Sequence, residues 1–436
     1  MNKLILGFVG ALFFLPKEAL ASEGHGTSSS IWLALGLIVL VAKLAGEVAI
    51  RAKQPAVFGE LLAGVLLGNL DLVGIPFFTS VAKSSEMAFA AEMGVVLLLF
   101  QVGIESSVGE MRAVAKEAGV VAVIGVVVPT CLGFGTSRLL LPDAPFLLHL
   151  FIGATLSATS VGVTARVLRD LKATGQHEAR VILGAAVLDD VLGLIVLAIV
   201  TSIAASGGLP GSFELVRLAA TAIGFLVGSL FVGLFVTRGV FRFAARLQSP
   251  YVLGALSISL CFLFSALSVR AGLAAIVGAF AAGLVLDDIS VKPFGEQSLQ
   301  GLERFVGPIV ALFAPLFFAK TGMGVRLGGL DRSTVVLAAA LTFVAIIGKL
   351  VSGVAVRRGV DRLTVGLGMV PRGEVGLIFA DAGAKIMVGG AALIGNQAYS
   401  ALVLMVIVTT VVTPPLLGGR LRKRLNAPDL SGPSAL

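Results

Sequence analysis

The chain is built from about thirteen apolar runs of helix length, separated by short stretches rich in glycine, proline or charge. They fall at approximately 31–50, 56–75, 86–105, 119–139, 146–166, 181–201, 215–236, 250–270, 272–287, 303–324, 334–355, 363–384 and 398–418. A bilayer core needs about 20 apolar residues per helix, so the pattern predicts an all-α polytopic membrane protein. The composition agrees: 57% of residues are hydrophobic, 13% are charged, and the mean hydropathy is +1.02. The 54 glycines fit the same class, because small residues let membrane helices approach closely.

Residues 1–21 read as a signal peptide, with Lys3 before an apolar stretch and Ala19-Leu20-Ala21 as a small-x-small cleavage site. With the N-terminus outside, the basic loops (Arg51 and Lys53; Arg166, Arg169, Lys172 and Arg180; Arg238 to Arg246; Arg357 to Arg362) and the tail at 421–436 fall on the cytoplasmic side. The net charge of +8 then reflects orientation and contact with anionic membrane lipid, and no nucleic-acid partner is expected. Cys131 and Cys261 both lie in predicted helices, and the three histidines are scattered. No disulfide framework, metal centre or cofactor is expected.

Sliding the chain against itself places GELLAGVLLG (59–68) on GAFAAGLVLD (278–287) and LLFQVGIE (98–105) on FFAKTGMG (317–324), both at a shift of 219. Gly64 then falls on Gly283 and Gly103 on Gly322. The matched helices are the second and ninth of the count, so the two copies enter the membrane in opposite senses. This predicts an inverted repeat, with 22–213 as the first copy, 214–249 as a linking helix and 250–420 as the second. Each copy has a candidate broken helix, GATLSATSVGVTARVL (153–168) and GMVPRGEVGLIFADAG (368–383). Ser157, Thr159 and Ser160 offer hydroxyls at the first break, with back-bonding to the preceding turn as the plainer role. Arg372 and Glu374 lie deep in the bilayer at the second.

Asp189 and Asp190 sit at the centre of VILGAAVLDDVLGLIVLAIV (181–200), which holds no other charge. A carboxylate at that depth costs roughly 3 kcal/mol on insertion scales, so the pair is a candidate ion or proton site. Neighbours on a helix point about 100° apart. One acid can face an ion path while the other takes a partner, for which Lys349 is the best candidate and Lys320 a weaker one. The shift of 219 lands on Val408 and Thr409, so only one copy carries the acids. Lys43 and Glu47 read as a local i to i+4 pair, Asp287 and Asp288 as solvated helix-end residues, and Glu60, Glu92, Gln101 and Glu105 receive no role.

A carboxylate that takes either a proton or a cation couples the two by competition, and antiport follows if the site opens to one side at a time. At this point the chain resembles the monovalent cation/proton antiporter superfamily, in particular the NapA-type sodium/proton exchangers and their Kef-type relatives. The resemblance spans about 31–420 and rests on LDD (188–190), SATS (157–160), GKL (348–350) and PRGEVGLI (371–378). It implies a core domain, with core helices at about 119–201 and 334–418, two crossing broken helices, and motion against a dimerisation domain. Asp190 would be the ligand shared by cation and proton, Asp189 would pair with Lys349 in the manner the family associates with electrogenic exchange, and Arg372 and Glu374 would balance charge at the crossing. A homodimer in the bacterial inner membrane, carrying sodium or potassium against protons, is the expectation. Kef-type members usually place glutamine where Asp189 stands and append a nucleotide-binding domain, so regulation by a nucleotide in cis is not expected.

Four other readings compete. A Kef-like potassium/proton antiporter or potassium efflux protein uses the same residues. A sodium-coupled symporter of an organic anion, or a passive cation channel, fits a similar fold. An intramembrane aspartyl protease needs its acids on two helices, which adjacent positions on one helix do not give. The chain therefore reads as a transporter and not an enzyme.

Overall fold

A computed structural model of the chain describes residues 27–106, 108–206, 252–286, 298–324, 331–373 and 391–425, with scattered positions between 213 and 239 and between 376 and 388. The expected signal peptide, most of the linking segment, Asp287, Asp288, Glu374 and the end of the tail lie outside the described residues.

The chain order is α1 (Thr27–Arg51), α2 (Ala56–Gly68), α3 (Phe77–Ala82), α4 (Ser85–Ile104), α5 (Val108–Leu140), α6 (Phe146–Ser157), α7 (Val161–Asp170) and α8 (His177–Ser206). There follow α9 (Val252–Arg270), α10 (Ala275–Val285), α11 (Ser298–Met323), α12 (Arg332–Ser352), α13 (Arg362–Met369) and α14 (Asn396–Leu425). A hairpin of two-residue strands, Met387–Val388 and Ala391–Ala392, precedes α14 and makes the fold nearly, not wholly, helical. Local chemistry sets several starts: Ser84, Asp331 and Asp361 cap α4, α12 and α13 by accepting from backbone N–H groups inside the first turn.

Among the described residues, eight helical segments are long and apolar enough to cross a membrane, counting Phe146–Asp170 with its interruption as one; Ala56–Gly68 and Ala275–Val285 are apolar but shorter. The expected thirteen are not all reached, partly because several of the runs lie in or beside segments outside the description. Large apolar side chains such as Trp32, Leu66 and Phe343 face outward, the surface a lipid-facing helix needs.

Packing sorts the helices into two groups. In one, α2 and α4 lie against α11, α10 against α4, α1 against α2 and α9 against α10. In the other, α5 holds α6, α8 and α12, while α12 also meets α13 and α14. The first group is knit by glycines where backbones touch. A Cβ on Gly64 would lie 2.1 Å from the Ala319 carbonyl oxygen, and one on Gly322 would lie 2.2 Å from that of Leu61 and 2.9 Å from Gly64 itself. Gly103 and Gly283 face each other in the same way. A Cβ on Gly59 would lie 2.1 Å from the Ala45 carbonyl oxygen, and one on Gly278 would lie 2.2 Å from that of Phe264.

Candidate functional site

The hydroxyls of SATS compete with the helix ladder for backbone groups, and α6 stops at Ser157 while α7 starts at Val161. Likewise α13 stops at Met369, two residues before Pro371, which has no N–H to donate. Each interruption supplies what the other lacks. The Ser160 N–H donates to the Pro371 carbonyl at 2.7 Å, Thr164 Oγ1 donates to the Gly368 carbonyl at 2.6 Å, and Thr159 Oγ1 reaches the Met369 carbonyl at 3.4 Å. A Cβ on Gly373 would sit 2.6 Å from Ser160 Oγ, so glycine lets the two breaks close on each other.

Arg372 is fully buried and serves backbone. Its Nη1 donates to the Val370 carbonyl at 2.8 Å, and its Nη2 to the carbonyls of Leu156 at 2.6 Å and Ala345 at 3.2 Å. The Leu156 carbonyl belongs to the last turn of α6, where partners within the helix run out and the dipole is negative, so a cation is favoured there. Thr410 of α14 donates to the Arg372 carbonyl. Sequence reading missed Thr410; its signal was the shift of 219, which put the counterpart of the acid pair at 408 and 409.

Beside these breaks, α8 brings Asp189 and Asp190, which are 1% and 6% exposed. Lys349 of α12, 0% exposed, donates from Nζ to Asp189 Oδ1 at 3.0 Å. Its room comes from α5: a Cβ on Gly125 would lie 3.5 Å from Nζ, and Gly348 rides against Pro129. Asp189 also feels the Arg372 charge, and Lys349 that of Asp190. Two carboxylates, an ammonium and a guanidinium thus share one buried region, formally neutral when all are ionised.

The hydroxyls divide. Ser157 Oγ donates to the Ala154 carbonyl at 2.7 Å, the back-bonded role. Ser160 Oγ is buried with no hydrogen-bond partner among the described residues, as is Asp189 Oδ2. Such atoms are the kind a desolvated cation recruits. Lys320 lies on α11, in the other helix group.

One expected pair is corrected. Lys43 does not pair with Glu47: Glu47 takes Arg51 at 2.8 Å, and Lys43 reaches across to Glu60 at 3.6 Å. Glu60, given no role from sequence, is 1% exposed and also meets Arg166 at 3.4 Å. Arg166, read as a loop charge, is 7% exposed on α7. Burial makes a tertiary partner worth more than a solvated neighbour one turn away.

Residues 36–422 match the family model described as sodium/hydrogen exchanger, transmembrane. The chain is 35% identical over 427 residues to the high-affinity Na(+)/H(+) antiporter NhaS3 of Synechocystis, covering 89% of each chain. It is 31% identical to the Na(+)/H(+)-K(+) antiporter GerN of Bacillus cereus, covering 88% of this chain and 94% of that one. Its fold resembles the solved sodium proton antiporter MjNhaP1 of Methanocaldococcus jannaschii, with TM-score 0.65, 18% identity, and 90% and 94% of the two chains covered. The chain is thus a multi-pass membrane transporter and not an enzyme. The chain is a member of the sodium/hydrogen exchanger family.

Proposed function

We propose that the chain exchanges sodium for protons across the bacterial inner membrane by alternating access, with Asp190 as the ligand that cation and proton share. The observation that carries this is the buried Asp189–Lys349 pair, with Asp190 beside it, at two helix breaks that cap each other. Asp189 is engaged by Lys349, and Asp190, next to it on α8 and 6% exposed, is the carboxylate assigned here to alternate between a proton and a cation. Ser160 Oγ and loosened backbone at the breaks supply further oxygen ligands, and Thr159 sits beside them. Glu374, outside the described residues, keeps its proposed part in balancing charge at the crossing.

Alternating access draws support from the glycine contacts. Under the shift of 219, Gly64 against Gly322 becomes Gly283 against Gly103, and Gly59 against Ala45 becomes Gly278 against Phe264. Contacts that exchange in this way are what an inverted repeat with a pseudo-two-fold axis produces, and such transporters move one helix group against the other. Here α5–α8 with α12–α14 form the moving core; α1, α2, α4 and α9–α11 form the panel against which it moves, and through which two copies pair. By the family resemblance, the Asp189–Lys349 pair favours electrogenic exchange.

Potassium is the second reading, favoured by the name of GerN, a relative at 31% identity. Proteoliposomes containing a pH-sensitive dye test both. Sodium, lithium and potassium are added in turn, and Asp190→Asn is run beside the wild type. Dequenching by sodium that the variant lacks supports the proposal; equal responses in the two proteins reject Asp190.

A further inference from the structure

Away from the acid pair, the ionic contacts between the two helix groups among the described residues gather at one end of α7. Glu60 of α2 holds Arg166 at 3.4 Å, and Lys43 of α1 adds a contact to the same Glu60 oxygen at 3.6 Å. One turn on, Glu105, just past α4, meets Arg169 at 3.5 Å. Asp170 backs Arg166 at 2.9 Å. The last turns of α14 press on the same place: Arg422 donates to the Lys53 carbonyl, and a Cβ on Gly418 would lie 2.8 Å from the Pro55 ring. A cavity of about 370 Å³ opens beside these charges, so ions can be rehydrated there when the contact parts.

The shift of 219 carries Lys43, Glu60 and Glu105 to Phe262, Ala279 and Gly324. The panel surface related by the repeat therefore has none of the three charges. In a symmetric carrier the two end states have equivalent contacts; here the panel provides a polar grip in one state and an apolar surface in the other.

We propose that Glu60 and Arg166 form a latch that favours the end state in which α7 and the end of α14 lie against the α1–α2 turn, and so sets the balance between the two states. The inference rests on the alternating-access reading. Breaking a buried pair by removing one charge is costly in the state that contains it and has no direct cost in the state that lacks it. Glu60 and Arg166 act here as positioning residues, through the equilibrium between the two states.

The test uses purified protein in detergent, with Cys131→Ser and Cys261→Ala removing the native thiols and Pro55→Cys reporting the interface. Maleimide labelling of position 55 is slow while α14 covers it. Glu60→Gln and Arg166→Gln each raise the labelling rate about fivefold or more, the double variant adds little beyond either, and Arg166→Lys stays near wild type. Glu105→Gln, at a less buried pair, gives a smaller rise and serves if Glu60→Gln folds poorly. A cysteine at Ala63, buried on α2, must not label faster in Glu60→Gln, since a rise there means general loosening and overturns the latch. Labelling at position 55 unchanged by Glu60→Gln, Arg166→Gln and Glu105→Gln also overturns it. Rates that respond to saturating sodium but not to these variants leave alternating access standing while the latch falls; rates that respond neither to sodium nor to Asp190→Asn remove the motion on which it depends.

Discussion

Lys349 Nζ lies 3.0 Å from Asp189 Oδ1, with both side chains shut away from solvent and 160 positions apart in the chain. Each side chain reduces the cost of burying the other, so removing one partner leaves a charge uncompensated. Lys349→Ala is predicted to destabilise the protein by about 3–5 kcal/mol, whereas Asp189→Asn with Lys349→Gln loses less than the two single changes summed. Thermal unfolding of the four purified variants measures these losses; additive losses in the cycle would mean that the pair does not act as a unit.

Arg372 occupies three carbonyls with one planar fork. Lysine has the charge but not the fork. Arg372→Lys is therefore predicted to lower stability, by about 1.5–3 kcal/mol for each charge-assisted bond not remade, and to reduce transport with it. A lysine variant with wild-type melting and flux would show that charge alone suffices.

Close helix approach makes glycine indispensable at some positions and dispensable at others. A Cβ at Gly64 would strike the Ala319 backbone, whereas one at Gly36 meets nothing within 4 Å. Gly64→Ala should cost about 1–3 kcal/mol by overpacking, and Gly36→Ala should be neutral or mildly stabilising. Melting curves of the two variants decide it, and equal behaviour would contradict the packing of α2 on α11.

At the water-exposed start of α13, burial pushes the Asp361 carboxyl up, but Arg420 and Thr364 outweigh it and hold its pKa down to about 2. Arg420 donates to it from Nε at 2.7 Å and from Nη2 at 3.1 Å. The folded pKa is below the ordinary value of about 3.9, so the contribution is present above about pH 4 and lost as pH falls through about 2. Asp361→Asn should melt slightly below wild type at pH 7, a small gap because the pair is partly exposed. The gap should close on acidification; a gap that widened would reverse the sign.

The charges that stand alone in apolar runs were the most legible part of the sequence. Asp189, Asp190, Lys349 and Arg372 each cost several kcal/mol at bilayer depth, so their positions alone marked a site, and Pro371 with the SATS hydroxyls marked the breaks. Legibility failed where charges had a plausible neighbour in sequence. Lys43 beside Glu47 looked sufficient, yet the structure sends Lys43 to Glu60 and joins Glu60 to Arg166, 106 positions away. Spacing along one helix does not report which face meets another. Thr410 was hidden for a related reason, since a threonine in a membrane helix usually bonds its own turn, and Thr410 does so while also reaching Arg372.

The most direct test of the central claim is sodium-driven proton movement in proteoliposomes with Asp190→Asn beside the wild type. The account predicts rapid dequenching on sodium addition in the wild type, with an apparent sodium affinity that weakens as pH falls because protons compete for one carboxylate, and no response in the variant. Sodium-driven proton flux that persists in Asp190→Asn, or an affinity indifferent to pH, would contradict it.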